Sequence, residues 1–116
     1  MPRQIIFYRT SDDKCPFEVF LDSLPGRFAQ KVTWVLEILE NQDMLPASYF
    51  KKLVNTDLWE IRVQMGSNTC RILCFFEKGS IIILTHGFIK KTQKTPLQEI
   101  ARANEYMKDY YSRRKS

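Results

Sequence analysis

The chain has 116 residues, 44% of them hydrophobic and 27% charged, with a net charge of +5 at pH 7. That balance describes one folded domain, long enough to bury a core without staples. Three cysteines with no C-x-x-C pair point to free thiols in a reducing compartment, and a single histidine gives a structural zinc site little support. No apolar run approaches membrane-spanning length and no signal-peptide core opens the chain, so a cytoplasmic location without membrane contact is expected. The positive charge favours an anionic partner; the competing reading is a basic solvated surface.

Residues 4–9 (QIIFYR) are β-branched and aromatic and predict a first strand. Ser11-Asp12-Asp13 is a turn or cap. Pro16 suits a first helical turn, and Phe17, Phe20, Leu21 and Leu24 give a short amphipathic helix over 16–23, broken by Pro25-Gly26. A second helix is predicted over 26–41, where Phe28, Val32, Val35, Leu36 and Leu39 recur at helical spacing. Trp34 is assigned to packing. Residues 49–53, past Pro46, predict one helical turn carrying Lys51 and Lys52.

Residues 58–91 hold the centre of the chain and predict three strands with two tight turns. Over 58–65, Trp59, Ile61, Val63 and Met65 alternate with Glu60, Arg62 and Gln64. Gly66-Ser67-Asn68 is a turn signal. Over 69–77, Cys70, Ile72, Cys74 and Phe76 share one face; Arg71, Leu73, Phe75 and Glu77 share the other. Lys78-Gly79 makes a second turn. Residues 80–88 are apolar on both faces at 81–84, as in a strand covered on both sides. Alternation puts His86 with Ile82, Leu84 and Phe88, and a basic loop with Lys90 and Lys91 follows. Thr95-Pro96 then opens a last helix, Thr95 as cap, with Glu99 in its first turn and Leu97, Ile100, Ala103, Met107 and Tyr110 as an apolar stripe. The tail from Ser112 is expected to fray.

The implied architecture is α+β: an antiparallel sheet of about four strands, two N-terminal helices on one face, and a C-terminal helix at an edge or extending away. One sheet face would be partly open and cationic.

Leu58-Trp59-Glu60-Ile61-Arg62, then Cys70-Arg71-Ile72-Leu73, then His86-Gly87-Phe88-Ile89-Lys90-Lys91 with Lys94-Thr95-Pro96 and Glu99-Ile100, resemble in order and spacing the RelE/ParE toxin superfamily. The likeness is narrowest to its HigB-like, phage-type (Gp49-like) branch and covers nearly the whole chain. It implies the RelE-like fold, the toxin of a type II toxin–antitoxin system, and an mRNA interferase that cuts mRNA in the ribosomal A site without a metal or other cofactor. The strand arginine after the hairpin turn matches Arg71, the basic loop residue matches Lys90 or Lys91, and Arg62 matches a position commonly basic there.

The residues suit that chemistry. Cleavage by 2′-OH transesterification needs a base, in-line geometry, cations for the charge on phosphorus, and an acid for the 5′-oxygen. Arg62 and Arg71 on neighbouring strands can converge on one phosphate, with Lys90 and Lys91 at the rim. His86, whose ordinary pKa lies near neutrality, is a candidate base or acid, or else a satisfied core histidine. Glu60 is a candidate base, or else a partner of Arg62. Lys51, Lys52 and Lys94 are candidate RNA contacts, or else solvated lysines. Two alternatives stand beside this reading: a ParE-like toxin acting on DNA gyrase, which needs no such arginine pair, and a non-enzymatic RNA-binding module, which would want paired exposed aromatics on adjacent strands. As a toxin the protein would require a cognate antitoxin, of the helix-turn-helix, HigA-like kind in this branch, in a heterotetramer or similar complex, with ribosome and mRNA as its targets.

Overall fold

A computed structural model describes residues 3–42, 45–90 and 94–114. Strand β1 (Gln4–Phe7) leads into helices α1 (Pro16–Asp22) and α2 (Gly26–Asn41). Strands β2 (Phe50–Lys52), β3 (Trp59–Met65), β4 (Asn68–Glu77) and β5 (Ile81–Lys90) follow, and helix α3 (Leu97–Arg114) closes the order. The class is α+β, as the sequence implies. The sheet, however, has five strands, in the order β1-β5-β4-β3-β2, and it is mixed. β1 runs parallel to β5, while β2–β3, β3–β4 and β4–β5 are antiparallel. The fifth strand is β2, where the sequence predicts a helical turn. Three residues are too few to show a period, and pairing decides instead: Phe50 lies opposite Ile61, and its ring stacks on Trp59 at 4.7 Å.

β1 and β2 sit at opposite edges of the sheet, so α1 and α2, which connect them, cross one of its faces. The core on that side holds Phe17, Val32, Leu39, Ile61, Val63, Ile72, Ile82 and Leu84. The alternation read in β3 and β4 is the one that folds. Cys15, Cys70 and Cys74 are free and buried, and burial pushes the Cys70 thiol up to about 12, which makes it an inert core residue. Trp34 does not pack here. It is 58% exposed, set just off the stripe of Val32, Val35 and Leu36.

The opposite face is covered too, by α3. Leu58, Leu73, Phe75 and Ile83 pack there against Ala103, Ile100, Tyr106, Met107 and Tyr110. This corrects the expectation of a helix at the edge; only Leu97 drops out of the predicted stripe, at 76% exposure. Nor does the tail fray before Arg114. The Tyr8 hydroxyl donates to Asp109 at 2.5 Å, Arg113 pairs with Asp109 at 2.7 Å, and the Tyr8 and Tyr106 rings stack at 4.8 Å. Burial, reinforced by Asp109, pushes the Tyr8 hydroxyl up to about 12, so this clamp stays in its hydrogen-bonded form at any pH near neutrality.

One irregularity reorders β5. Leu73 pairs with His86 but Cys74 pairs with Leu84, leaving Thr85 as an extra residue. Its buried hydroxyl donates to the Leu73 carbonyl oxygen at 2.8 Å. The bulge reverses the phase of everything after it. Ile82 and Leu84 face α1 and α2, whereas His86, Phe88 and Lys90 face the α3 side. The alternation that groups His86 with Ile82 and Leu84 is therefore corrected. Gly87, now on the α1 side, is closed over by Phe20: a Cβ there would lie 2.5 Å from Phe20 Cδ2. Gly87→Ala is expected to cost about 1–3 kcal/mol, because the Phe20 ring must leave its place. A thermal melt reads this as a drop of several degrees, and an unchanged midpoint would contradict it.

Candidate functional site

The strand register assembles the site. Arg62 on β3 lies directly opposite Arg71 on β4, and the next residue across on β5 is Phe88. One row along, Lys51, Glu60, Leu73 and His86 stand in line across β2, β3, β4 and β5. Directly paired residues share a face, so Lys51, Glu60, Arg62, Arg71, His86 and Lys90 are all on the α3 side. Like charges directly opposite repel, and Glu60 offsets that cost. Its carboxylate is wholly buried; Arg62 Nε donates to Oε1 at 2.8 Å, and Arg71 Nη1 lies 3.7 Å from Oε2. Thr95, just ahead of α3, donates its hydroxyl to Glu60 Oε2 and accepts from Arg71 Nη1 at 3.3 Å. The sequence predicts a helix cap at Thr95; α3 instead starts at Leu97, where the Pro96 carbonyl oxygen accepts from the Glu99 and Ile100 N–H groups, and the Thr95 hydroxyl turns to Glu60 on the sheet.

The two arginines differ in access. Arg71 is 3% exposed and its pKa is lowered by burial, partly offset by Glu60. The Arg62 side chain keeps 20% of its exposure and is the guanidinium a ligand reaches first. Lys90 is half-buried at the end of β5, a strand residue rather than a loop residue; Lys94 is exposed just before Thr95. Lys51 and Lys52 are both exposed, but the pleat divides them: Lys52 pairs with Trp59 and belongs to the other face. Lys91 lies outside the described residues.

His86 is 4% exposed. Its Nδ1 lies 3.2 Å from the Thr85 hydroxyl, its Nε2 lies 3.2 Å from Glu99 Oε1, and its ring meets Tyr106 edge-on at 5.7 Å. Burial holds its pKa below the ordinary histidine value; Glu99 pulls upward and Arg102 adds to the lowering. The imidazole is thus neutral at pH 7, and the sign of the linkage follows. As pH falls through about 6.5, the unfolded chain takes up a proton that the folded chain refuses. Stability is fully present above that value and is lost on the way down to the depressed one. A urea midpoint that drops between about pH 7 and about pH 5.5, and drops less in His86→Gln, is the expected result. This is the only histidine, so no other imidazole contributes.

Sequence reasoning missed Thr85, Thr95 as a bridge, and Glu99 and Arg102 around His86. The sequence marks Glu99 only as a first-turn acid, and it is the bulge that brings His86 to it. Among the described residues, no group of three or more His, Cys, Asp or Glu side chains is placed to hold a metal ion, and no helix is long and apolar enough to cross a membrane.

Residues 19–108, which include every strand of this site, match the phage-derived Gp49-like protein family (DUF891). The chain belongs to that family. The Gp49-like proteins fall in the RelE/HigB-like toxin group, and the mixed α+β sheet with its three helices is compatible with a RelE-like fold. Membership indicates the toxin of a toxin–antitoxin pair, with an antitoxin as partner. No curated protein matches the chain.

Proposed function

We propose that this Gp49-like chain is a metal-independent, ribosome-dependent mRNA endoribonuclease, the toxin of a type II toxin–antitoxin system. The observation that supports the reading most is the opposed pair Arg62 and Arg71, locked by a buried Glu60 and flanked by Lys51, Lys90 and Lys94. A preset pair of guanidiniums suits the charge that builds on phosphorus. Arg62 meets the phosphate. Arg71 and Glu60 fix it in place, since both are buried, and both Glu60 oxygens are engaged, which argues for a positioning role over that of a base. The neutral His86 is the proton carrier this reading assigns; it is nearly as buried as Arg71 and its nitrogens face Thr85 and Glu99, so it acts once binding on the ribosome opens one of those contacts. It takes the 2′-hydroxyl proton as the 2′-oxygen bonds to phosphorus. The bond from phosphorus to the 5′-oxygen breaks, and that oxygen takes up a proton from water, leaving a 2′,3′-cyclic phosphate and a 5′-hydroxyl. His86 and Glu99 face each other, so the ribosome and mRNA must supply the in-line alignment.

The antitoxin would then be a helix-turn-helix, HigA-like protein that covers the cationic face with acidic side chains. Induced expression in a bacterial host, with 5′ ends mapped on an abundant mRNA, tests the proposal. Growth arrest with new cuts in translated codons is expected. Arrest with intact mRNA would overturn it in favour of a gyrase-type toxin.

A further inference from the structure

At the end of α3 far from Thr95 there is a cleft of about 410 Å³. It forms because β3 begins at Trp59, opposite Cys74, while β4 runs on through Phe75 and Phe76. The notch beyond the start of β3 is flanked by the last turns of α3, where the Tyr111 hydroxyl donates to the Phe76 carbonyl oxygen at 3.3 Å. Trp59, Phe76 and Tyr111 are among its walls, and the exposed Lys52 and Asp57 complete it. The sequence shows no paired aromatics for RNA, because Trp59 and Tyr111 lie far apart along the chain; the fold brings them to one opening.

We infer that this cleft is a nucleobase subsite for single-stranded RNA, and that it sets the base preference of the proposed cleavage. The inference rests on that proposal. Three features fit a base rather than a general apolar ligand. Aromatic walls offer stacking that any base accepts, about 1–3 kcal/mol per base in single-strand binders. A lysine at the opening suits the phosphate attached to that base. A carboxylate accepts hydrogen bonds and donates none, so Asp57 favours bases that carry an exocyclic amine, cytosine above all, over uracil. The placement also fits. Trp59 is three residues from Arg62 along β3, roughly 10 Å at about 3.4 Å per residue. Lys51, in register with Glu60, stands on the way. Trp59 and Lys52 lie on the face opposite Arg62, so a strand whose phosphate meets Arg62 reaches the cleft by turning round the open end of β3.

The chain has two tryptophans, Trp34 and Trp59, and Trp34 is exposed, so Trp34→Phe leaves Trp59 as a local reporter. Uncleavable 2′-O-methyl oligomers of cytidine and of uridine are titrated against that variant, followed by Trp59 fluorescence. A saturable change is expected, with cytidine binding about tenfold or more tighter than uridine. Asp57→Asn should erase that preference, and Tyr111→Ala should weaken both oligomers. No saturable change, or one that ignores both substitutions, overturns the subsite; occupation by a protein segment of the antitoxin would give that outcome. The two proposals fail separately. Cut mRNA with a silent Trp59 removes the subsite alone. A responsive Trp59 with intact mRNA removes the cleavage and leaves an RNA-binding cleft.

Discussion

Arg71→Ala is expected to abolish growth arrest and also to destabilise the fold by about 3–5 kcal/mol, the usual cost of removing one partner of a buried ion pair. Glu60 is wholly buried and Arg71 nearly so, so alanine leaves a carboxylate with less compensating charge and a void between β3, β4 and the start of α3. The sequence alone suggests a surface arginine that could be truncated with the fold intact; its burial overturns that. Lost arrest in this variant would therefore say nothing by itself about chemistry. The double variant Glu60→Gln/Arg71→Met separates the two effects. It removes both charges, fills the volume, keeps an amide oxygen to accept from Arg62, and sets the amide NH2 to donate to the Thr95 hydroxyl oxygen. Most of the lost stability should return, because neutral replacement of a buried pair is often nearly costless, while arrest should not. Urea unfolding beside a growth assay reads both. A double variant that stays as unstable as Arg71→Ala would place the cost elsewhere than in the buried charge.

Arg62→Ala should do the reverse. Its side chain is the more exposed of the pair, and Glu60 keeps Arg71 and Thr95. The expected stability loss is about 1.5–3 kcal/mol, that of one charged hydrogen bond. The loss in mRNA cleavage should be about 10²–10³-fold, as when a transition-state donor is deleted. Arg62→Lys should recover only part, since an ammonium lacks the planar fork that holds two oxygens at once. Cleavage rates on one reporter mRNA, compared with melting midpoints, check this. An Arg62→Ala chain that cuts at the normal rate would remove Arg62 from the site.

Much of this arrangement is legible in the sequence, and the limits have physical causes. The faces of β3 and β4 follow from alternation because no bulge interrupts their shared register, so the pattern puts Glu60, Arg62 and Arg71 on one face, as the structure does. β5 breaks the same rule at Thr85, and nothing in ILTHGF marks the bulge, since a threonine suits a regular strand equally well. Its effect is felt downstream at His86 and Lys90. β2 is set by its pairing with Phe50 and Trp59, too short to show any pattern of its own. The path of α3 depends on a clamp between Tyr8 and Asp109, residues at opposite ends of the chain, and a local reading cannot join them. That same path buries Arg71 and forms the cleft at Trp59 and Tyr111.

In the proposed function this face cuts mRNA on the ribosome. The most direct measurement uses purified chain in a reconstituted translation reaction, with the mRNA ends analysed. Cleavage only while ribosomes translate, leaving 5′-hydroxyl ends and 2′,3′-cyclic phosphates, and absent with Arg62→Ala, is the predicted result. Intact mRNA under translation, or equal cutting of naked RNA by the wild type and Arg62→Ala, would contradict it.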